Sequence, residues 1–297
     1  MKRALFVYNA RSGKGLVKRK LADILDILVK GGMEVVAHPT QRTGDAKELV
    51  RDTAEKYDLV VCAGGDGTLD ETVTGMMLSP VNIPIGYIPA GSTNDFGSSL
   101  QIPTDILKSA RIVTEGIPFP CDIGEFNNDH FVYVAAFGLF TNVSYRTKQE
   151  LKNIFGHAAY LLEATKELGN IPSYELEVEV NGEIIHDRFS FGMVTNSSSI
   201  GGFKDISGKN VELNDGLMEV TLIREPKNQL EFSEIIACLT NLIQESKLVY
   251  TCKAESLEIR TQDRISWTLD GEYGGTFADS EIRCKKHAVS FLVEKEL

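Results

Sequence analysis

Long apolar runs are missing from this chain of 297 residues. The longest candidate, FVYVAAFGLF at residues 131–140, falls far short of the ~18 residues that a membrane-spanning helix needs, and is more typical of a buried strand. The start, MKRALFVYNARSG, has a basic pair but neither a full signal-peptide core nor a small-residue cleavage site. We therefore expect a cytoplasmic protein without a membrane span.

Paired cysteines and an excess of positive charge are also missing. The five cysteines, an odd number without any CxxC spacing, suggest neither a disulfide framework nor a zinc site. The net charge of −11 argues against a nucleic-acid partner. Most of the negative charge lies after residue 125, where 17 basic and 26 acidic residues give a net of −9.

The first 125 residues alternate between short apolar strands and amphipathic helices. ALFVY at 4–8 and LVVCAG at 59–64 are typical buried strands, and each is followed by a helical pattern. Such alternation predicts right-handed crossovers and a largely parallel sheet, which makes this part an α/β domain. Ligands of such sheets bind at the carboxyl ends of the strands.

After residue 125 the pattern changes to short strands with turn signals. YELEVEV at 174–180 alternates apolar and acidic residues, and Asn181-Gly182 predicts a type I′ hairpin turn. Two helical stretches are predicted at about 147–168 and 230–245. We therefore expect a mostly antiparallel β-sandwich domain. Its further predicted strands cover 183–195, 216–223, 247–260, 265–270 and 287–295.

Three polar, glycine-bearing loops follow strands of the first part: NARSGKG at 9–15, GGDGT at 64–68 and PAGSTNDFG at 89–97. Glycine lets backbone N–H groups approach a ligand, and helix N-termini attract anions, so these loops suit phosphate groups. Asp66 stands at the end of a strand, where a carboxylate holds Mg²⁺ directly or through water. The alternative is that the loops are ordinary turns and that Asp66 or Thr68 caps the following helix.

The same motifs carry a resemblance to a known family. GGDGT, PAGSTNDF and the upstream NARSG resemble the diacylglycerol kinase catalytic-domain family, whose more distant relatives are the NAD kinases and phosphofructokinases. NDGLMEV at 214–220 and DGEYGG at 270–275 resemble motifs of its soluble bacterial members, in the same order along nearly the whole chain. The change of pattern alone places the domain boundary near residues 120–127. With the resemblance, we expect a nucleotide-binding domain over 1–125 and a β-rich lipid-substrate domain over 126–287, with terminal residues of about 288–297 packing back on the first.

The resemblance also implies functional residues and an ATP site between the two domains. The nucleotide contacts carry over to Asn9, Ala10, Arg11, Ser12, Gly13, Thr40, Gly65, Asp66, Gly67, Thr68, Leu69, Asp70, Glu71 and Ser92. A structural Mg²⁺ site carries over to Asp215 through its carboxylate, and to Glu212 and Leu217 through their backbone carbonyls.

The general base of the family falls on Asp270 or Glu272, and the motif does not separate them. If DGE were a regular strand, the two carboxylates would share a face and repel each other. The alternative for DGEYGG is a tight hairpin turn.

From this resemblance we expect an enzyme that uses ATP and Mg²⁺ to phosphorylate the primary hydroxyl of diacylglycerol, giving phosphatidic acid. It would meet its membrane-derived substrate by peripheral contact with the inner face of the membrane, without nucleic acid, and a homodimer stays open. The alternatives are a kinase for another lipid (a sphingoid base or phosphatidylglycerol) or for NAD, and a non-catalytic nucleotide- or lipid-binding regulator. The two DGE carboxylates argue against the non-catalytic regulator, because such a protein would be expected to have lost them.

Overall fold

Two units make up the chain, one of Met1–Ile123 with Lys286–Leu297 and one of Gly124–Lys285. The computed structural model describes residues 1–138, 171–200, 203–204, 211–239, 243–295 and 297. The helix predicted at about 147–168 lies outside these residues. No helix in the described part of the chain combines the length and the apolar character needed to cross a bilayer.

The first unit alternates strands and helices, as its sequence pattern indicates. Its strands are β1 (Lys2–Tyr8), β2 (Met33–Pro39), β3 (Leu59–Gly64) and β4 (Ile85–Pro89). Its helices are α1 (Ser12–Lys30), α2 (Asp45–Thr53), α3 (Asp66–Met77), α4 (Asp95–Ser99) and α5 (Ile106–Glu115).

The strands of the first unit run parallel. β1 pairs with both β2 and β3, and β4 pairs with β3 on its far side. Phe291, near the chain end, pairs parallel with Ile85 of β4. Because β2 and β3 lie on opposite sides of β1, the strand order reverses between β1 and β3. Their carboxyl ends therefore form the crevice where ligands of such sheets bind.

Burial explains why β3 reads as an unbroken apolar run. All six of its residues are buried, because α/β sheets carry helices on both faces. One core cluster joins Val61 of β3 and Ile88 of β4 with Ile24 and Leu28 of α1 and Val113 of α5. The apolar faces of the helices and the strands thus bury one another. This packing fixes the positions of the strand ends.

The second unit consists mainly of strands. They are β6 (Asp129–Phe131), β7 (Val134–Gly138), β8 (Tyr174–Val180), β9 (Glu183–Thr195), β10 (Ser199–Ile200), β11 (Phe203–Lys204), β12 (Met218–Arg224), β13 (Val249–Ala254) and β14 (Ser256–Leu269), with one helix, α6 (Gln229–Leu239). Two further strands cross between the units: β5 (Ile117–Phe126) and β15 (Glu272–Val293).

The strands of this unit pair antiparallel throughout its described part. β9 pairs with β8 along its first half and with β7 and β12 along its second, and β14 changes from β8 to β7 in the same manner. The bent strands enclose a core around Trp267, which packs against Phe126 and Phe137 at ring-centroid distances of 4.8 Å. The predicted type I′ turn is confirmed, since Asn181 and Gly182 have φ of 52° and 78°.

Several predicted strand boundaries differ from the structure. The segment predicted as one strand at 247–260 is two, because β13 pairs with β12 while β14 pairs with β15. The strands predicted at 265–270 and 287–295 are the ends of the longer β14 and β15. The second predicted helix begins at Gln229 and its described part ends at Leu239.

Candidate functional site

The three glycine-bearing loops of the first unit leave the carboxyl ends of β1, β3 and β4. The Asn9 N–H donates to the Ala63 carbonyl at 2.9 Å, which joins the first loop to the end of β3. The Ala90 N–H donates to the Gly64 carbonyl at 2.7 Å, which joins the second and third loops. The sheet therefore brings the three predicted phosphate loops side by side.

Glycine is required where these loops touch. A Cβ on Gly91 would lie 2.6 Å from the Gly65 Cα, and one on Gly13 would lie 2.8 Å from the Ala90 carbonyl oxygen. Both distances are far inside van der Waals contact, and the obstructing atoms belong to backbone. The glycines thus let the loop backbones approach one another, which explains their spacing in the sequence.

A methyl group at Gly91 is expected to force the second and third loops apart. Overpacking of this kind costs about 1 to 3 kcal/mol. If ATP binds only to the close arrangement of the loops, binding must overcome this cost, so we expect Gly91→Ala to raise the ATP dissociation constant by about tenfold or more. Calorimetric titration with ATP measures the effect. Gly32→Ala is the control: alanine is strained at its φ of +82°, but no atom lies within 4 Å of the added Cβ, so the variant loses a glycine without overpacking. An unchanged dissociation constant for Gly91→Ala would show that the close approach is not needed.

The first loop has a distinctive backbone at the start of α1. Gly13, Lys14 and Gly15 have left-handed φ of 59°, 55° and 77°, so the regular helix begins only at Leu16. The Asn9 side chain braces the loop by accepting the Arg11 N–H at 2.9 Å. A strand end, a loop of this kind and a helix N-terminus together favour an anion.

Asp66 ties the second loop to the third. Its Oδ1 accepts the Asp95 N–H at 2.9 Å and its Oδ2 accepts the Asn94 N–H at 3.1 Å. The residue is buried, and these amides open α4. The alternative cap for the helix after GGDGT therefore does not account for Asp66, whose carboxylate holds a different helix.

Tyr87 contacts the same junction of the second and third loops. Its hydroxyl donates to the Gly64 carbonyl at 3.3 Å, and the Asn94 Oδ1 accepts the Gly91 N–H at 2.7 Å beside it. Burial, followed by the negative charge of Asp66, raises the pKa of Tyr87 well above its usual range. The hydroxyl thus stays protonated and remains a donor. Neither Tyr87 nor Asn94 was singled out from the sequence as a site residue.

Glu71 lies among the predicted nucleotide contacts, and it holds the N-terminus of α2. Its two oxygens accept the Gly44 N–H at 2.7 Å and the Ala46 N–H at 3.1 Å. The loop before α2 contains Thr40, whose N–H donates to the Tyr8 carbonyl at 2.9 Å. Glu71 therefore positions the segment that follows Thr40, and this position at a helix N-terminus suits its charge.

The predicted nucleotide residues differ in exposure. Exposed residues are Arg11, Gly13, Gly67 and Ser92; partly exposed ones are Asn9, Ala10, Ser12, Thr40, Gly65, Asp70 and Glu71; buried ones are Asp66, Thr68 and Leu69. The buried ones are part of the support beneath the loops, and the exposed ones are available to a ligand.

The DGE motif of the second unit is a hairpin turn. Leu269 pairs with Glu272, and Asp270 and Gly271 between them have φ of 50° and 86°. These values fit a two-residue turn of type I′. The alternative interpretation as a tight turn is therefore correct, and the two carboxylates do not share one face of a strand.

The two carboxylates of this turn have different surroundings. Asp270 is buried, and its oxygens accept the backbone N–H groups of Val132, Tyr133 and Val134 at 2.5, 3.0 and 2.9 Å. Glu272 is exposed. Asp270 thus fastens the turn to the chain at 132–134, whereas Glu272 is accessible to a substrate.

The carboxylate of the predicted structural metal site already has two partners. Asp215 Oδ1 accepts the Leu217 N–H at 2.9 Å, and its Oδ2 lies 2.8 Å from Lys253 Nζ. Mg²⁺ demands near-octahedral oxygen coordination. An ammonium thus already pairs with Asp215, the side chain on which the predicted site depends.

Comparison with known families matches both parts of the chain. Residues 3–126 match the diacylglycerol kinase catalytic domain, and residues 134–293 match the YegS C-terminal NAD kinase beta sandwich-like domain. The architecture thus has two domains, a catalytic one and a strand-rich C-terminal one.

Individual relatives match over nearly their full length. A diacylglycerol kinase of Bacillus subtilis is 33% identical over 291 residues, which cover 97% of this chain and 95% of the relative. One of Staphylococcus carnosus is 35% identical over 289 residues, covering 96% and 94%. A crystal structure of a diacylglycerol kinase from Bacillus anthracis has a similar fold, with a TM-score of 0.76, 20% identity, and coverage of 98% and 97%.

Proposed function

The chain belongs to the diacylglycerol kinase catalytic-domain family and is a lipid kinase, and from this premise we propose that it phosphorylates diacylglycerol. The γ-phosphoryl group of ATP passes to the primary hydroxyl, which yields phosphatidic acid, ADP and one proton. Enzymes of this reaction class act mainly by positioning the phosphates and neutralising their charge. The observation that carries the proposal is the junction of the Gly65 and Gly91 loops around the buried Asp66.

The first unit binds ATP in this proposal. The crevice between β1 and β3 receives the phosphates, and the exposed part of the loops at Arg11, Gly13 and Ser92 supplies donors. Asp66 would hold Mg²⁺, through water, and the ion would neutralise phosphate charge during transfer. Because Asp66 also binds the amides of Asn94 and Asp95, it fixes the loop geometry before the nucleotide arrives.

Glu272 accepts the proton of the attacking hydroxyl in this proposal. A general base must reach the substrate and must retain a lone pair for the proton. Glu272 is exposed, whereas three backbone N–H groups already bind the buried Asp270 carboxylate. The choice that the motif left open is therefore made in favour of Glu272, with Asp270 as the residue that positions it.

The second unit binds the lipid in this proposal. The protein binds the membrane surface peripherally and does not span the bilayer. The exposed Lys18 and Arg19 of α1 suit anionic headgroups, since basic side chains are attracted to such surfaces. Cytoplasmic location at the inner face of the membrane and a homodimer stay predictions.

Substrate competition tests the proposal directly. The protein is assayed with Mg-ATP against diacylglycerol dispersed in vesicles, against sphingosine and phosphatidylglycerol in the same vesicles, and against NAD in solution. We expect radioactive phosphate from [γ-³²P]ATP to appear in phosphatidic acid. Preferential labelling of sphingosine, phosphatidylglycerol or NAD would show that this molecule, and not diacylglycerol, is the substrate. Nucleotide binding without labelling of any acceptor would identify a regulator instead.

A further inference from the structure

Three polar side chains form a row across neighbouring strands of the second unit. β12 pairs with β9 and β13, and the register places Glu219 opposite Thr195 on one side and opposite Lys253 on the other. Side chains opposite each other in antiparallel strands point to the same face. Met218 and Val220, the neighbours of Glu219 in sequence, lie in the hydrophobic core on the other face.

A fourth polar side chain joins the row from the turn before β12. Asp215 Oδ2 lies 2.8 Å from Lys253 Nζ, and the same nitrogen lies 3.6 Å from Glu219 Oε1. One ammonium group is therefore within ion-pair distance of two carboxylates. The ammonium therefore bridges the two carboxylates.

The burial of Glu219 favours a cation beside it. Its side chain is only 8% exposed, and in the described part of the chain neither carboxylate oxygen has a hydrogen-bond donor. The same holds for Oγ1 of the fully buried Thr195. A buried charge is costly unless it is paired. The pair with Lys253 is thus the compensation that the described residues offer to Glu219.

We propose that the Lys253 ammonium is the resident cation of the Glu212–Leu217 turn, in place of the divalent ion expected there from the family resemblance. It is covalently attached, so the turn keeps its shape without a metal. A divalent ion at Asp215 would lie beside this positive charge and be repelled by it. This role concerns the fold of the second unit and is independent of the lipid substrate.

Mn²⁺ binding without nucleotide tests the proposal. Free Mn²⁺ is followed by electron paramagnetic resonance in titrations of the wild type, Asp215→Asn, Lys253→Met and the double variant. We expect the wild type and Asp215→Asn to bind Mn²⁺ alike. Lys253→Met should bind Mn²⁺ about tenfold more tightly or better, because the repelling charge is gone, and the double variant should lose this gain.

Thermal unfolding provides a second readout and a matched control. In EDTA we expect Lys253→Met to have a lower Tm than the wild type, and Mn²⁺ to restore part of the loss. Lys285→Met is the control, because Lys285 forms an ion pair of 2.9 Å with Glu125 in the same unit. The Tm of Lys285→Met should not change when Mn²⁺ is added.

Two results would overturn the proposal. One is Mn²⁺ binding by the wild type that Asp215→Asn abolishes, since a divalent ion would then share the turn with Lys253. The other is a folded Lys253→Met with the Tm of the wild type and no added Mn²⁺ affinity. If Lys253→Met does not fold, the comparison of the wild type with Asp215→Asn still decides the question.

Discussion

Replacement of Glu272 by glutamine is expected to lower kcat by about 10²- to 10⁴-fold, the usual contribution of a general base. Glutamine keeps the size and hydrogen-bonding reach of the side chain but cannot take a proton at neutral pH. Because Glu272 is exposed at the first position of β15, the fold should tolerate the change. Steady-state rates with diacylglycerol and ATP, measured with the ATP dissociation constant and the Tm, separate chemistry from binding and stability.

Glu175→Gln is the matched control for Glu272→Gln. Glu175 is an exposed glutamate on β8 of the same unit, so it loses the same charge at a different strand. We expect its kcat to equal that of the wild type. Full turnover by Glu272→Gln would contradict the assignment of the base. A loss shared by both variants would point to the net charge of the unit as the cause.

The sequence predicted the loops of the first unit because their signals are local. Each apolar strand is followed directly by glycines and polar residues, and parallel strands place such ends at one edge of the sheet. The contacts of Asp66 were not predictable in this way. An aspartate before a helix has the same local pattern whether it caps that helix or one 28 residues later, as Asp66 does with Asn94.

The roles of Asp270 and Glu272 were undecided in the sequence for a similar reason. Both carboxylates belong to one short motif, and the difference between them comes from amides 136 to 138 residues away. The contact of Lys253 with Asp215 depends likewise on strand register, which a local pattern does not determine. Local patterns therefore identified the elements and the motifs, whereas long-range pairing decided what each charged side chain does.

Asp270→Ala is expected to destabilise the second unit by about 3 to 6 kcal/mol, because the variant leaves buried backbone N–H groups without an acceptor. The three donors are those of Val132, Tyr133 and Val134. Such a loss is a large part of a typical domain stability of about 5 to 15 kcal/mol. Asp270→Asn should lose less, since its amide oxygen still accepts from part of this set.

The Asn181-Gly182 turn offers a matched control for the backbone contribution. Asn181 and Asp270 have nearly equal φ of 52° and 50°, and each precedes a glycine in a two-residue hairpin turn. The Asn181 side chain makes an exposed hydrogen bond to the Lys253 carbonyl. Asn181→Ala therefore measures the cost of alanine in the left-handed region, about 1 to 2 kcal/mol. The excess cost of Asp270→Ala belongs to the buried carboxylate.

Denaturant unfolding followed by tryptophan fluorescence measures this difference in stability for the second unit. The chain contains one tryptophan, and Trp267 lies in the core of the second unit, three residues before Asp270. Its emission therefore reports the unfolding of that unit alone. Equal stability losses in Asp270→Ala and Asn181→Ala would mean that the carboxylate does not anchor the turn. If Asp270→Asn then kept its stability and lost turnover while Glu272→Gln kept its rate, Asp270 would be the base.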